Sequence, residues 1–296
     1  MAAPMPVPAA FWVDPAGTPV SVLDRTPGLH VTYHQGESKH GPTTVAYIEY
    51  AVPERHDRVY GGRARSAMNV IAIDVMNGAL YANAPTSAHS VALADAMKPA
   101  AAGPPGDGLS KVTSATAVYV DIPWLTAIPP EAGQFTSFVW ADEFISDVGR
   151  FALPRSASRP GVAKPVARPS AMSSVSFQAK TGATGSKLLT AQADLSDPSK
   201  RRLQGLISGE LLSPDSIKNG RKPILTVVVL DYLTRQVGYE SVLLPDGADR
   251  QVLAFNAAIE TMIKLLPGAG NGRVFALAHL DGTVTPPIVF EPPKSS

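Results

Sequence analysis

Two tandem β-sandwich modules are the fold class that this 296-residue chain predicts, and three features carry the expectation. Its apolar runs are short, rich in Val, Ile and Thr, and bounded by Gly, Pro and Asn, which is the pattern of strands joined by turns. Its 28 prolines are roughly twice the usual share of about 5%. Proline is excluded from helix interiors and central strands, so many short elements with fixed turns are implied. The third feature is a basic, apolar-poor stretch whose two flanks resemble each other.

That stretch, "PRSASRPGVAKPVARPSAMSS", spans residues 154–174. It has too few large apolar side chains to offset its ordering entropy, and its prolines keep it extended. It reads as a linker over residues 154–175, between an N-terminal module at 1–153 and a C-terminal module at 176–296. The charge follows the same division. The first part has 9 basic and 14 acidic groups, the linker has four basic groups and no acid, and the last part has 13 basic and 11 acidic groups.

In the first half, residues 43–52, 68–76, 79–83, 135–141 and 151–153 have strand character, with Asn77-Gly78 as a two-residue hairpin turn. In the second half, the strands are 202–212, 224–232, 236–244, 273–279 and 287–290. One short helix is expected in the second module, over 249–266. There Val252, Phe255, Ile259, Met262, Ile263 and Leu266 recur at helical spacing. Asp249 stands near its start, and Pro267-Gly268 stops it.

The likeness of the flanks points to an internal duplication. "GRARSAMNVIAIDVMNGALYAN" (62–83) and "GRKPILTVVVLDYLTRQVGYES" (220–241) each run from Gly-Arg through a β-branched segment to an Asp, Asp74 or Asp231. Each then turns and resumes with a tyrosine. Further on, matching 128–154 to 265–293 sets Pro130 on Pro267, Gly133 on Gly270, Phe138 on Phe275 and Ala141 on Ala278. A longer loop in the first half, 94–111, accounts for the unequal spacing between the blocks. The closing segment "GRVFALAHLDG" (272–282) resembles the last hairpin of immunoglobulin-like modules. That likeness is one of architecture and implies no function.

Composition excludes several chemistries. With no cysteine, thiol nucleophiles, disulfides and thiolate-bound metals are impossible. A net charge of +1 gives no general attraction to nucleic acid or anionic membrane. The longest apolar run, "ILTVVVL" (224–230), is far below the ~20 residues of a membrane span. The N-terminal "MAAPMPVPAAFWVDP" has neither a basic n-region nor an unbroken apolar core, so no secretory signal is expected. The chain is read as soluble, with its compartment open.

Glycine-rich segments do not read as phosphate loops. In "LLPGAGNGRVF" (265–275) the expected helix precedes the glycines and a strand follows, the reverse of a phosphate-binding order. "TGATGSK" (181–187) has the wrong spacing for a Walker loop. His34, Glu37 and His40 in "HQGESKH" are zinc-ligating types, but they match no zinc motif, and a mobile polar loop is expected. His56 lies in a charged turn, and His279 on a strand reads as a half-buried structural residue. No G-x-S-x-G occurs.

What remains are surface candidates. "ADEFISD" supplies Asp142, Glu143 and Asp147 near a hairpin, carboxylates that could bind Ca²⁺ or act as a glycosidase pair. Aromatic residues cluster in the first half, where exposed rings would make a stacking platform. Alternation in "TTVAYIEYAV" puts Tyr47 on the outer face with Val45 and Glu49, opposite Ile48 and Tyr50. The binding candidates are therefore Tyr47, Trp140, Asp142 and Glu143, with no catalytic or metal-ligating residue and no cofactor. The function predicted is a non-enzymatic structural or binding protein that presents β-sandwich surfaces to a protein or glycan partner, or to itself. The alternatives are a hydrolase acting on polysaccharide or ester at a loop-built carboxylate site, and a capsid or other assembly subunit.

Overall fold

The computed structural model describes residues 12–13, 26–38, 41–54, 68–83, 112–131, 133–141, 143–155, 173–180, 188–197, 200–208, 223–232, 234–248, 251–266 and 272–292. The chain is mainly β, in antiparallel sheets consistent with tandem β-sandwich modules. It divides into two compact units. The first comprises Met1–Ala72, Tyr81–Lys164 and Leu233–Arg235. The second comprises Ile73–Leu80, Pro165–Tyr232 and Gln236–Ser296.

The first nine strands are β1 (Trp12–Val13), β2 (Gly28–Ser38), β3 (Gly41–Pro53), β4 (Asn69–Asp74), β5 (Leu80–Ala82), β6 (Val112–Asp121), β7 (Gly133–Ala141), β8 (Phe144–Ile145) and β9 (Gly149–Leu153). They form one sheet in the order β1-β6-β3-β2 and another in the order β5-β4-β7-β8, with β9 also on β7. The second nine are β10 (Val175–Lys180), β11 (Leu189–Ala193), β12 (Arg202–Ile207), β13 (Ile224–Asp231), β14 (Val237–Leu243), β15 (Val252–Ala258), β16 (Val274–Leu280), β17 (Thr283–Val284) and β18 (Ile288–Phe290). Their sheets run β10-β15-β12-β11 and β14-β13-β16-β17, with β18 on β16. Adding nine to every strand number of the first set gives the second. Two short helices occupy matching places, α1 (Ile122–Leu125) after β6 and α2 (Ile259–Ile263) after β15.

The second core shows why these segments are strands. Leu225, Val227 and Val229 alternate along β13 and meet Leu203 and Ile207 of β12, Leu253, Phe255 and Ala257 of β15, and Val274, Ala276 and Ala278 of β16. Period-2 burial on two sheets is what closes a sandwich. β13 and β16 are buried along almost their whole length. This explains why their sequences are continuous apolar runs and not alternating ones.

Three expectations need correction. The helix over 249–266 is instead β15 followed by the five-residue α2. Burial along β15 alternates strictly, with Leu253, Phe255 and Ala257 inside. The polar loop expected at "HQGESKH" is the end of β2, paired with β3 out to Ser38 opposite Gly41; His40 lies outside the described residues, as does His56. The turn at Asn77-Gly78 is longer than two residues. The Asp74 amide donates to the Ala79 carbonyl at 2.8 Å, so Val75 to Gly78 make the connection. The Asp231 amide closes an equal loop on Gln236 at 2.9 Å. Gly78 (φ 69°) and Arg235 (φ 57°) take the same left-handed position in these two loops. For an arginine that position is strained, whereas for glycine it is not.

The matching hairpins also fix the register between the halves. The Val139 amide donates to Ser146 Oγ at 2.9 Å, and the Ala278 amide to Thr285 Oγ1 at 3.0 Å. Val139 therefore corresponds to Ala278, Phe138 to Leu277 and Trp140 to His279. The sequence match of Phe138 with Phe275 is out by two residues. A slip of two keeps every side chain on its face, so hydrophobic pattern alone could not detect it.

In the first unit, the Tyr33 ring points inward from β2. Its hydroxyl donates to the Ser137 carbonyl at 2.9 Å and more weakly to that of Asp147 at 3.3 Å. Burial pushes this phenol up to about 12. An acid whose folded-state pKa is raised contributes stability that is fully present below the unfolded value, about 10, and lost as pH rises toward the folded one. We expect stability to fall by about 2 kcal/mol between pH ~10 and ~12 on this account. Urea unfolding at a series of alkaline pH values should show a shallower fall for Tyr33→Phe than for the parent chain.

Candidate functional site

The outer face of the sheet β10-β15-β12-β11 holds a concavity of about 410 Å³. Antiparallel pairing dictates its lining, because residues directly opposite one another share a face. One row across the sheet is Ser176, Asn256, Gln204 and Gln192. The next is Gln178, Ala254, Leu206 and Thr190. Lys180 and Arg202 stand at its ends, and the inward Phe255, together with Gly205, closes the floor. Asn256 and Gln204 are half-buried at the centre, whereas Ser176, Gln178, Lys180, Thr190 and Gln192 are exposed around them.

Among the described residues, four carboxamides, two hydroxyls and two cations therefore line the concavity, and no carboxylate does. Arg202 is oriented by its neighbour, with Nε donating to Asn256 Oδ1 at 2.9 Å. Asp194 lies just beyond β11, where the Ser196 amide donates to its Oδ1 at 2.9 Å. Hydrogen bonds from Ser196 hold this carboxyl below the usual range, with smaller contributions from Gln204 and the charge of Arg202.

The equivalent face of the first unit contains Tyr47. Val45 stands opposite Asp121 as Arg202 stands opposite Ala258, which matches Tyr47 to Gln204 and Tyr119 to Asn256. The row of the first unit is Val13, Tyr119, Tyr47 and Thr32. Where the second unit has two carboxamides, the first has two phenol rings, with centroids 4.8 Å apart at 42°. Tyr47 is half-buried and Tyr119 is 41% exposed. Tyr47 donates to Glu49 Oε1 at 3.3 Å. Desolvation, with the Glu49 charge behind it, raises the Tyr47 phenol above its ordinary pKa.

The alternation read from "TTVAYIEYAV" holds for Ile48 and Tyr50, both 0% exposed and facing inward. Glu49, on the outer side, is nonetheless buried. The other expected binding residues do not join Tyr47. Trp140 is wholly buried on β7, so its ring is not offered at a surface. Glu143 is half-buried at the β7–β8 turn, and Asp142 lies outside the described residues. Asp147 is engaged by His30, Nδ1 to Oδ2 at 2.8 Å. His279, expected half-buried, is fully buried, and its Nε2 accepts from the Gly282 amide at 3.2 Å.

Among the described residues no group of three or more His, Asp or Glu side chains is placed to hold a metal ion. No described helix is long and apolar enough to cross a membrane. The amide-lined face went unnoticed in the sequence because β10, β11 and β15 were not read as strands. A retrospective signal exists in "SFQAK", "TAQA" and "LQGL", each of which places glutamine at alternate positions with a small or apolar residue.

No family model matches the chain, and no curated protein matches it significantly. Among solved structures it is similar to the chicken interferon gamma receptor alpha chain, at 9% identity over 90% of this chain and 99% of that one, with a TM-score of 0.19. A second likeness is to the FN1–FN3 domains of chicken CNTN1, at 9% identity over 91% of this chain and 69% of that one, again at 0.19. At such scores neither likeness decides anything about this chain, and its fold stands on its own strand order.

Proposed function

We propose that the chain is a non-enzymatic binding protein, built from two duplicated β-sandwich modules, that meets a glycan through the outer faces of β1-β6-β3-β2 and β10-β15-β12-β11. The observation that carries this reading is the register-matched row. The same four-strand position bears a tyrosine pair in one unit and a carboxamide pair in the other. Tyrosine rings stack on the apolar faces of sugar rings while their hydroxyls stay hydrated. Carboxamides offer a donor and an acceptor side by side, which suits vicinal hydroxyls. A glycan fits both chemistries, whereas the carboxamide row lacks the aromatic anchor on which a protein interface is usually centred.

A glycan array probed with the full chain tests the reading. We expect retention of a defined subset of glycans, lowered about tenfold by Tyr119→Ala for ligands of the first face and by Gln192→Ala for ligands of the second (about 1.4 kcal/mol each). Gln192 is exposed, so Gln192→Ala should leave the thermal midpoint unchanged, whereas Tyr119→Ala loses the ring contact with Tyr47 and should lower it slightly. Retention of no glycan, or retention indifferent to both substitutions, would defeat the proposal.

A further inference from the structure

The geometry points to an acidic polysaccharide, one with carboxylate or sulfate groups beside free hydroxyls, as the ligand of the concavity on β10-β15-β12-β11. This inference rests on the glycan-binding reading above and names the ligand class of one face. Charge complementarity carries it. Among the described residues lining the concavity, Lys180 and Arg202 are the charged ones and none is acidic. Asp194 sits beside Arg202 at the rim and offsets part of one charge, which leaves the lining net cationic. Arg202 is half-buried and its Nε is already held by Asn256. Less side-chain entropy is therefore lost when its remaining donors meet an anionic oxygen in the planar fork that carboxylate and sulfate fit.

The cations stand at opposite ends of the lining. Lys180 is at the far end of β10, opposite Val252, and Arg202 is at the start of β12, opposite Ala258. Carboxamides and hydroxyls fill the space between them. A polymer whose charges are separated by hydroxyl-bearing rings matches that alternation, and a compact anion does not. Single-stranded nucleic acid would want exposed aromatic platforms for its bases, and the one aromatic among the described lining residues, Phe255, is buried and turned inward. An acidic peptide would supply the charge but leave the row of amides facing a chain with few hydroxyls.

The test is isothermal titration of the full chain with four probes: polygalacturonate, dextran sulfate, neutral dextran and poly-L-glutamate. Polygalacturonate and dextran sulfate should bind at least tenfold more tightly than either of the others and weaken as salt is raised. The double variant K180Q/R202Q should remove that preference, bringing polygalacturonate and dextran sulfate down to the level of neutral dextran, while glutamine at position 202 can still donate to Asn256. If this variant loses its thermal transition, Gln178→Leu, an exposed change within the same lining, takes its place and should lower polygalacturonate affinity. Equal binding of neutral dextran, equal binding of poly-L-glutamate, or an acidic preference that survives K180Q/R202Q would overturn the inference. Should other glycans bind without an acidic preference, the glycan-binding reading stands and this inference alone fails; should no glycan bind, both fail.

Discussion

Gly205→Val should lower the stability of the second unit by about 3 kcal/mol or more, at the severe end for overpacking. Gly205 lies on β12 opposite Phe255 of β15 on one side and Ala191 of β11 on the other. A Cβ built on it falls inside contact distance of the Phe255 ring and also of the Thr190 carbonyl oxygen. The ring could turn aside at a cost in packing, but the carbonyl is backbone in the neighbouring strand and cannot move without breaking the ladder. This glycine is needed for close approach, not for an unusual dihedral. Its absence of a side chain lets Phe255 lie across the strand and close the floor beneath the amide face. Urea unfolding followed by tryptophan-independent circular dichroism measures the effect. Gly205→Ala combined with Phe255→Leu should recover only part of the loss of Gly205→Ala alone, since the clash with Thr190 stays. Full recovery would mean that the ring, and not the backbone, sets the limit.

The fold class was legible because its evidence is local. β-Branched runs such as "ILTVVVL" and "GQFTSFVWA" cannot avoid β structure, and Asp, Asn and Gly mark their ends at Asp74, Gly78 and Asp231. The strands that went unread, β2, β6, β10, β11 and β15, are those in which small and polar residues alternate with only modest apolar ones. Ala191, Ala193, Gln178 and Gln204 carry little strand propensity of their own. They are strands because stronger neighbours provide a ladder and a core to lie on. Three of the four strands that build the candidate face, β10, β11 and β15, are of this kind. Sequence reasoning could place Tyr47 correctly from alternation within β3, but it could not find the partner Tyr119, which is brought alongside by β6 from more than seventy residues away. Nor could it assemble Gln178, Asn256, Gln204 and Gln192, since a row across a sheet has no signature along the chain. Trp140 misled for the opposite reason: its size made it a candidate for contact, and size is equally what makes a side chain worth burying.

Leu253→Ala should cost about 2–5 kcal/mol, the range for a buried leucine truncated in a packed core, while Val252→Ala one position earlier should stay within about 1 kcal/mol. The pair discriminates sharply between the two periodicities that this segment can support. Helical spacing groups Val252 with Phe255, Ile259 and Met262 and leaves Leu253 off the apolar stripe. Strand spacing groups Leu253 with Phe255 and Ala257, and in β15 these are 1%, 2% and 0% exposed. Val252 stays half-buried at the end of the outer face, opposite Lys180. The sequence satisfies both patterns because Phe255 belongs to each, and because α2 follows directly and buries Ile259, Met262 and Ile263 at true helical spacing. What decides between them is the ladder. β15 pairs with β10 on one side and β12 on the other, six residues in register with each, and a helix at this position would leave β10 without its partner, strip β12 of one of its two neighbours and expose the Leu203 and Ile207 side of the core. Chemical denaturation of the two variants is therefore expected to separate their midpoints widely, with Leu253→Ala by far the less stable. Equal losses, or a greater loss at Val252, would contradict the central strand of the sheet on which the amide face depends.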